Sequence, residues 1–158
     1  AITMTIIELQ RLGLIGTGVD EFFNSRAIND HKELGQLETM HEQLEFMATM
    51  GEGREDELIT RTLRDIRELP TMLQAIKDAW RSGDNRKLKE VALTPFKKDF
   101  PNVYNNLIVK RNDAWMEKIE EMLETQDVEL VLVGALHLVG DDGLLEKLAA
   151  RGYKIQQP

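Results

Sequence analysis

Apolar residues recur every three or four positions along most of the chain, and this spacing predicts a protein built mainly of amphipathic helices. Ile2, Ile6, Leu9 and Leu12 form one stripe, and the glycine-rich 13–18 ends it. Asp20 is placed to cap a second short helix to residue 29, with Phe22, Phe23 and Ala27 facing in. Thr39 and Glu42 have capping-box spacing and open a helix carrying Leu44, Phe46 and Met47, which Gly51 and Gly53 close. The longest pattern runs over 54–81 through Leu58, Leu63, Ile66, Leu69, Leu73, Ile76 and Trp80. Pro70 inside it predicts a kink or a break into two helices. Asp84 or Asn85 caps a short helix to about residue 93, Pro95 and Pro101 bracket a loop, and 102–125 is helical again. One face of that last helix carries Tyr104, Leu107, Ile108, Trp115, Ile119 and Met122.

Three stretches depart from this spacing. Apart from Glu129, residues 128–133 are an apolar run rich in β-branched side chains, as in a strand buried on both faces. A helix over 144–151 follows, with Asp141 and Asp142 at its positive end and Gly152 as its cap, and 153–156 reads as a final strand. Residues 32–38 read as a further short strand. The expected fold class is α/β, mostly helical. It has a small parallel or mixed sheet, a helical middle over about 40–125 and a right-handed strand-helix-strand unit over about 127–157.

Composition adds bounds. The 158 residues suffice for one domain, and 42% hydrophobic with 30% charged residues describes a folded chain. A net charge of −8 argues against nucleic acid or an anionic membrane as partner. The absence of cysteine excludes disulfides, thiolate metal sites and thiol nucleophiles. No apolar run reaches the roughly 18 residues that span a bilayer. Ala1 opens directly in a helical pattern, which points to a piece of a longer protein.

Among three histidines, His137 stands out because it follows the apolar run by a few residues, after Gly134. In an open α/β sheet, ligands collect beyond the strand ends. There an imidazole can bind a transition metal or act as a base, and a flexible Gly134 would let the chain turn sharply. A loop histidine bonded to a carbonyl fits the spacing equally. Glu38, at the end of the other expected strand, can reach the same crevice as metal ligand or base, or be a solvated glutamate ahead of a helix. Arg111, beside Asn112 and one turn before Trp115, can clamp a carboxylate or phosphate, or pair with a neighbouring acid. His31 and His41 fit no local metal pattern.

Taken in order, "GVDEFFNSRA", "LGQLETMHEQL", "VKRNDAW" and "VELVLVGALHLVGDDGLLEKLAARGYKI" resemble the TraB/GumN family, itself similar to the Tiki metalloproteases. That family's hallmark is a pair of G-x-x-H motifs, with a characteristic acidic residue and an arginine. Gly134-Ala135-Leu136-His137 matches the second motif, Arg111 and Asn112 the arginine-asparagine pair, and Glu38 the L-E-T glutamate. The first G-x-x-H has no counterpart here. The resemblance implies a metal-dependent hydrolase, in kind a peptidase, with His137 and Glu38 on a divalent transition metal. Arg111 would steady an oxyanion, and Gly134 and Asn112 would support the site. It also implies an extracytoplasmic parent. Without the first motif the chain is expected to be inactive alone. A non-catalytic module that sequesters a peptide or other ligand is the second reading, and a plain helical interaction domain the third. Open sheet edges would draw the chain into a homo-oligomer.

Overall fold

The computed structural model describes residues 2–13, 16–48 and 55–157, and every regular element among them is helical. Helices α1 (Ile2–Arg11), α2 (Val19–Asn29) and α3 (Met40–Ala48) precede the long α4 (Glu55–Arg81). A helical run follows: α5 (Asn85–Leu88), a π-helical turn (Lys89–Leu93) and α6 (Thr94–Asp99). A second run joins α7 (Pro101–Tyr104), another π-helical turn (Asn105–Val109) and α8 (Lys110–Leu123). The single turn α9 (Ala135–Leu138) and then α10 (Leu144–Ala150) complete the order.

Local chemistry explains most helix ends. Glu42 N–H donates to Thr39 Oγ1 at 3.2 Å, and Thr39 N–H donates to Glu42 Oε2 at 2.7 Å, which completes the expected capping box of α3. The glycines expected to close α3 lie outside the described residues. Asp84, rather than Asn85, caps α5 by accepting from Lys87 N–H at 2.8 Å. At the end of α10, Gly152 has φ +93°. Its N–H donates to the Ala149 carbonyl and that of Tyr153 to the Leu148 carbonyl, a Schellman cap.

Several expectations are corrected. The strands at 32–38, 128–133 and 153–156 are not formed, and with them go the parallel sheet, the crossover and the α/β class. A strand persists only where a neighbour satisfies its N–H and C=O groups, and no backbone hydrogen bond joins any two of these segments. The apolar run is instead exposed, fully at Val128 and to 67% at Leu130. α4 passes through Pro70 without breaking into two helices. Pro95 and Pro101 do not bracket a loop: Pro101 opens α7 after the break at Phe100, where the missing N–H costs no hydrogen bond, and Pro95 lies at the start of α6, directly after the π-helical turn. α2 starts from Gly18 with no side-chain cap, so Asp20 lies inside it. Phe22 is 54% exposed, and only Phe23 and Ala27 are half-buried.

The core lies in the second half of the chain. One cluster joins Ala79, Leu88, Leu93, Tyr104, Ile108 and Val139. The other joins Trp115, Met116, Ile119 and Leu144. Leu138 packs against both. Ion pairs surround the segment that carries α9 and α10: Lys89 to Asp141 at 2.6 Å, Lys97 to Asp142 at 2.8 Å, Lys147 to Asp113 at 2.7 Å and Arg151 to Glu120 at 3.0 Å. No helix among the described residues is long and apolar enough to cross a membrane.

Candidate functional site

The four polar side chains singled out in the sequence meet between the two clusters, although the sheet expected to assemble them is not formed. Two come from the first turn of α8, one from α9 and one from the irregular segment before α3. Arg111 grips Glu38 with two hydrogen bonds, Nε to Oε2 at 2.9 Å and Nη2 to Oε1 at 2.7 Å. This fork geometry is the strong form of the arginine–carboxylate pair. Trp115 Nε1–H donates to the same Glu38 oxygen at 3.2 Å, and the Arg111 guanidinium lies over the Trp115 ring at 4.8 Å. Lys118 Nζ holds the segment just before Glu38 by donating to the Leu37 carbonyl at 2.9 Å.

His137 is 8% exposed, and its ring stacks obliquely on Trp115 with centroids 4.6 Å apart. Its Nδ1 is 2.7 Å from Asn112 Oδ1 and its Nε2 is 3.4 Å from Arg111 Nη1. Asn112 is fully buried, and its Nδ2 donates to the His137 carbonyl at 3.1 Å and to the Asp142 carbonyl at 2.7 Å. With both amide hydrogens on carbonyls, Asn112 presents its oxygen to the ring. An oxygen only accepts, so His137 donates from Nδ1–H and carries its lone pair on Nε2. Burial pushes the His137 pKa down to about 4, the Arg111 charge adds to the depression, and Glu38 opposes it. The ring is neutral at physiological pH.

Gly134 plays a different part from the one expected. Its φ of −57° and ψ of 136° are open to any residue, and a Cβ there would meet only His137 Cδ2 at an ordinary 3.6 Å. The tight glycine is Gly143, where a Cβ would come 2.5 Å from the Leu138 carbonyl oxygen and 2.6 Å from that of Val139. His31 and His41 are exposed and take no part. Two participants escaped the sequence reading. Trp115 was placed only on an apolar face, four residues after Arg111, and its indole N–H carried no further signal. Asp142 was placed only at a helix start, whereas its carboxylate accepts from Tyr104 Oη–H and Lys97 Nζ, each at 2.8 Å.

Two donors of the right kind for a divalent transition metal, His137 Nε2 and the Glu38 carboxylate, are brought together, and both face Arg111. No group of three His, Cys, Asp or Glu side chains that could hold a metal gathers among the described residues. A catalytic zinc commonly takes three protein ligands, more than the two donors gathered here.

The model of the TraB/PrgY/gumN family matches residues 1–157, nearly the whole chain. The chain belongs to the TraB/PrgY/gumN family. No curated relative and no solved structure matches it. Within this TraB-type chain, the residues that carried the sequence resemblance, Glu38, Arg111, Asn112 and His137, form one connected hydrogen-bonded cluster.

Proposed function

We propose that the chain carries part of a hydrolytic site of the TraB type, with a peptide-like substrate and His137 Nε2 as its working atom. One observation carries the reading: a buried, neutral imidazole whose proton is fixed on Nδ1, leaving Nε2 as an acceptor that meets only a long 3.4 Å contact from Arg111 Nη1. A base that takes protons at neutral pH works best with a pKa near 7. A pKa of about 4 makes His137 a weak base in this state and suits Nε2 to ligation. When bound, a divalent transition metal supplies Lewis acidity and a water of lowered pKa, and His137 and Glu38 are the residues that would hold it. Arg111 carries the charge that would steady a developing oxyanion, once Glu38 yields its place on the guanidinium. The Trp115 ring walls one side of the imidazole and keeps water from it.

A second reading is a module that binds a peptide or other ligand without cleaving it. The occupied fork of Arg111 favours it, since the same fork would grip a ligand carboxylate in exchange for Glu38. Calorimetric titration of the natural full-length protein with manganese, cobalt and zinc, paired with turnover of a peptide panel, separates the two. Binding of one metal and turnover, both lost in His137→Ala, support the hydrolase. Unchanged turnover in that variant overturns it, and ligand binding without turnover favours sequestration. The exposed apolar run at 128–132 supports assembly with a second copy of the chain.

A further inference from the structure

The working state of His137 depends on which way the Asn112 amide faces, and Asn112 does not decide that alone. Turned over, the amide would set its oxygen against two carbonyl oxygens and its hydrogens against the ring, so the carbonyls of His137 and Asp142 hold it as it is. The His137 carbonyl belongs to the residue being oriented. The Asp142 carbonyl, at the shorter 2.7 Å, is the reference from outside. Arg111 Nη1 also donates to Nε2 and favours the same form, but at a long 3.4 Å and shared with the Leu107 carbonyl at 3.4 Å, so it is the weaker of the two constraints.

The fixing of the Asp142 carbonyl in turn follows from its side chain. Asp142 Oδ2 accepts from Tyr104 Oη–H and from Lys97 Nζ, both at 2.8 Å, and Lys97 lies over the Tyr104 ring at 5.2 Å. Tyr104 is buried in the first cluster, two turns before Asn112 on the same continuous helical run. The turn beneath is closed by Gly143 N–H donating to the Gly140 carbonyl at 2.9 Å, with no room for a larger residue at 143. Lys97, then Tyr104, hold the Asp142 carboxyl below the usual carboxylate range, and burial with the Asp142 bond raises the Tyr104 pKa, so Tyr104 stays a donor.

We propose that Asp142 is a positioning residue for the site. Its side chain, gripped by Tyr104 and Lys97, sets the main-chain carbonyl that orients the Asn112 amide, and through that amide it holds His137 in the Nδ1–H form. The inference rests on His137 being the working side chain, but its readout does not depend on turnover.

The test is the His137 tautomer, read from long-range proton–nitrogen correlation spectra of histidine-labelled protein near neutral pH. The natural chain is expected to show one form, with hydrogen on Nδ1 and none on Nε2. Tyr104→Phe keeps the ring in the core, and Asp142→Ala removes the acceptor; both should lose the single form and show both tautomers. Asp142→Asn, which keeps an acceptor for Tyr104, should restore much of the natural pattern. Arg151→Met breaks the ion pair to Glu120, which touches neither Asp142 nor Tyr104, and should leave the pattern alone. A folded Tyr104→Phe with an unchanged single Nδ1–H form overturns the proposal, and it decides alone if Asp142→Ala does not fold. Turnover surviving in His137→Ala while Tyr104→Phe shows both tautomers would sink the hydrolytic reading and leave this assignment standing.

Discussion

At His137, burial and the neighbouring Arg111 charge outweigh Glu38 and favour the uncharged ring, and this gives stability a pH dependence of known sign. The folded pKa of about 4 lies below the ordinary imidazole value of 6.5. Between these values the unfolded chain binds a proton that the folded chain refuses. The contribution is therefore whole above about pH 6.5 and lost as pH falls toward about pH 4. Urea unfolding followed across that window should show stability rising with pH, with the slope reduced by up to one proton in His137→Gln. An identical slope in the variant would place the dependence elsewhere. The depressed carboxyl of Asp142 adds a loss of the same sign at lower pH, where it too must take a proton.

Element ends and turns, more than element interiors, place the site. A Cβ at Gly143 would run into main-chain oxygens, which cannot rotate away. Gly143→Ala is expected to destabilise by about 2 kcal/mol or more, in the class of overpacked buried positions. Gly134→Ala, at an ordinary φ with space around it, should be neutral or gain about 0.4–1 kcal/mol from a stiffer unfolded chain. Thermal melts of the two variants side by side check the contrast; equal losses would refute it. The sequence carried the capping box, the Asp84 cap and the Gly152 stop, because each is a short-range contact between residues a few positions apart. It also carried the stripe over 102–125. It did not carry the π-helical turns, one of which lies just before Arg111. An α-helix drifts about 40° with each step of four residues, and a wider turn cancels that drift. Tyr104, Ile108 and Asn112 can then share one face, with no residue type that announces the change.

Across the whole molecule, the strands failed because strand formation is a property of pairs. The run at 128–133 has, Glu129 apart, the residues a buried strand wants, and among the described residues no backbone pairs with it. The site residues were legible for the opposite reason. Their chemical types and order in the chain survive whether a sheet or a set of helices brings them together. The apolar run leads to an expected outcome in solution: association through 128–132, seen by light scattering as a mass above 18.1 kDa and reduced by Val131→Lys. A soluble monomer at high concentration would count against it. The net charge of −8 opposes this association, so raising the salt should favour it.

Leu138 touches both hydrophobic clusters and follows His137 in the same turn of helix. The two halves of the core are therefore expected to melt together. A fluctuation that loosens either one reaches the residue beside the imidazole, so amides around the site are expected to exchange only when both clusters open, which hydrogen exchange would read directly.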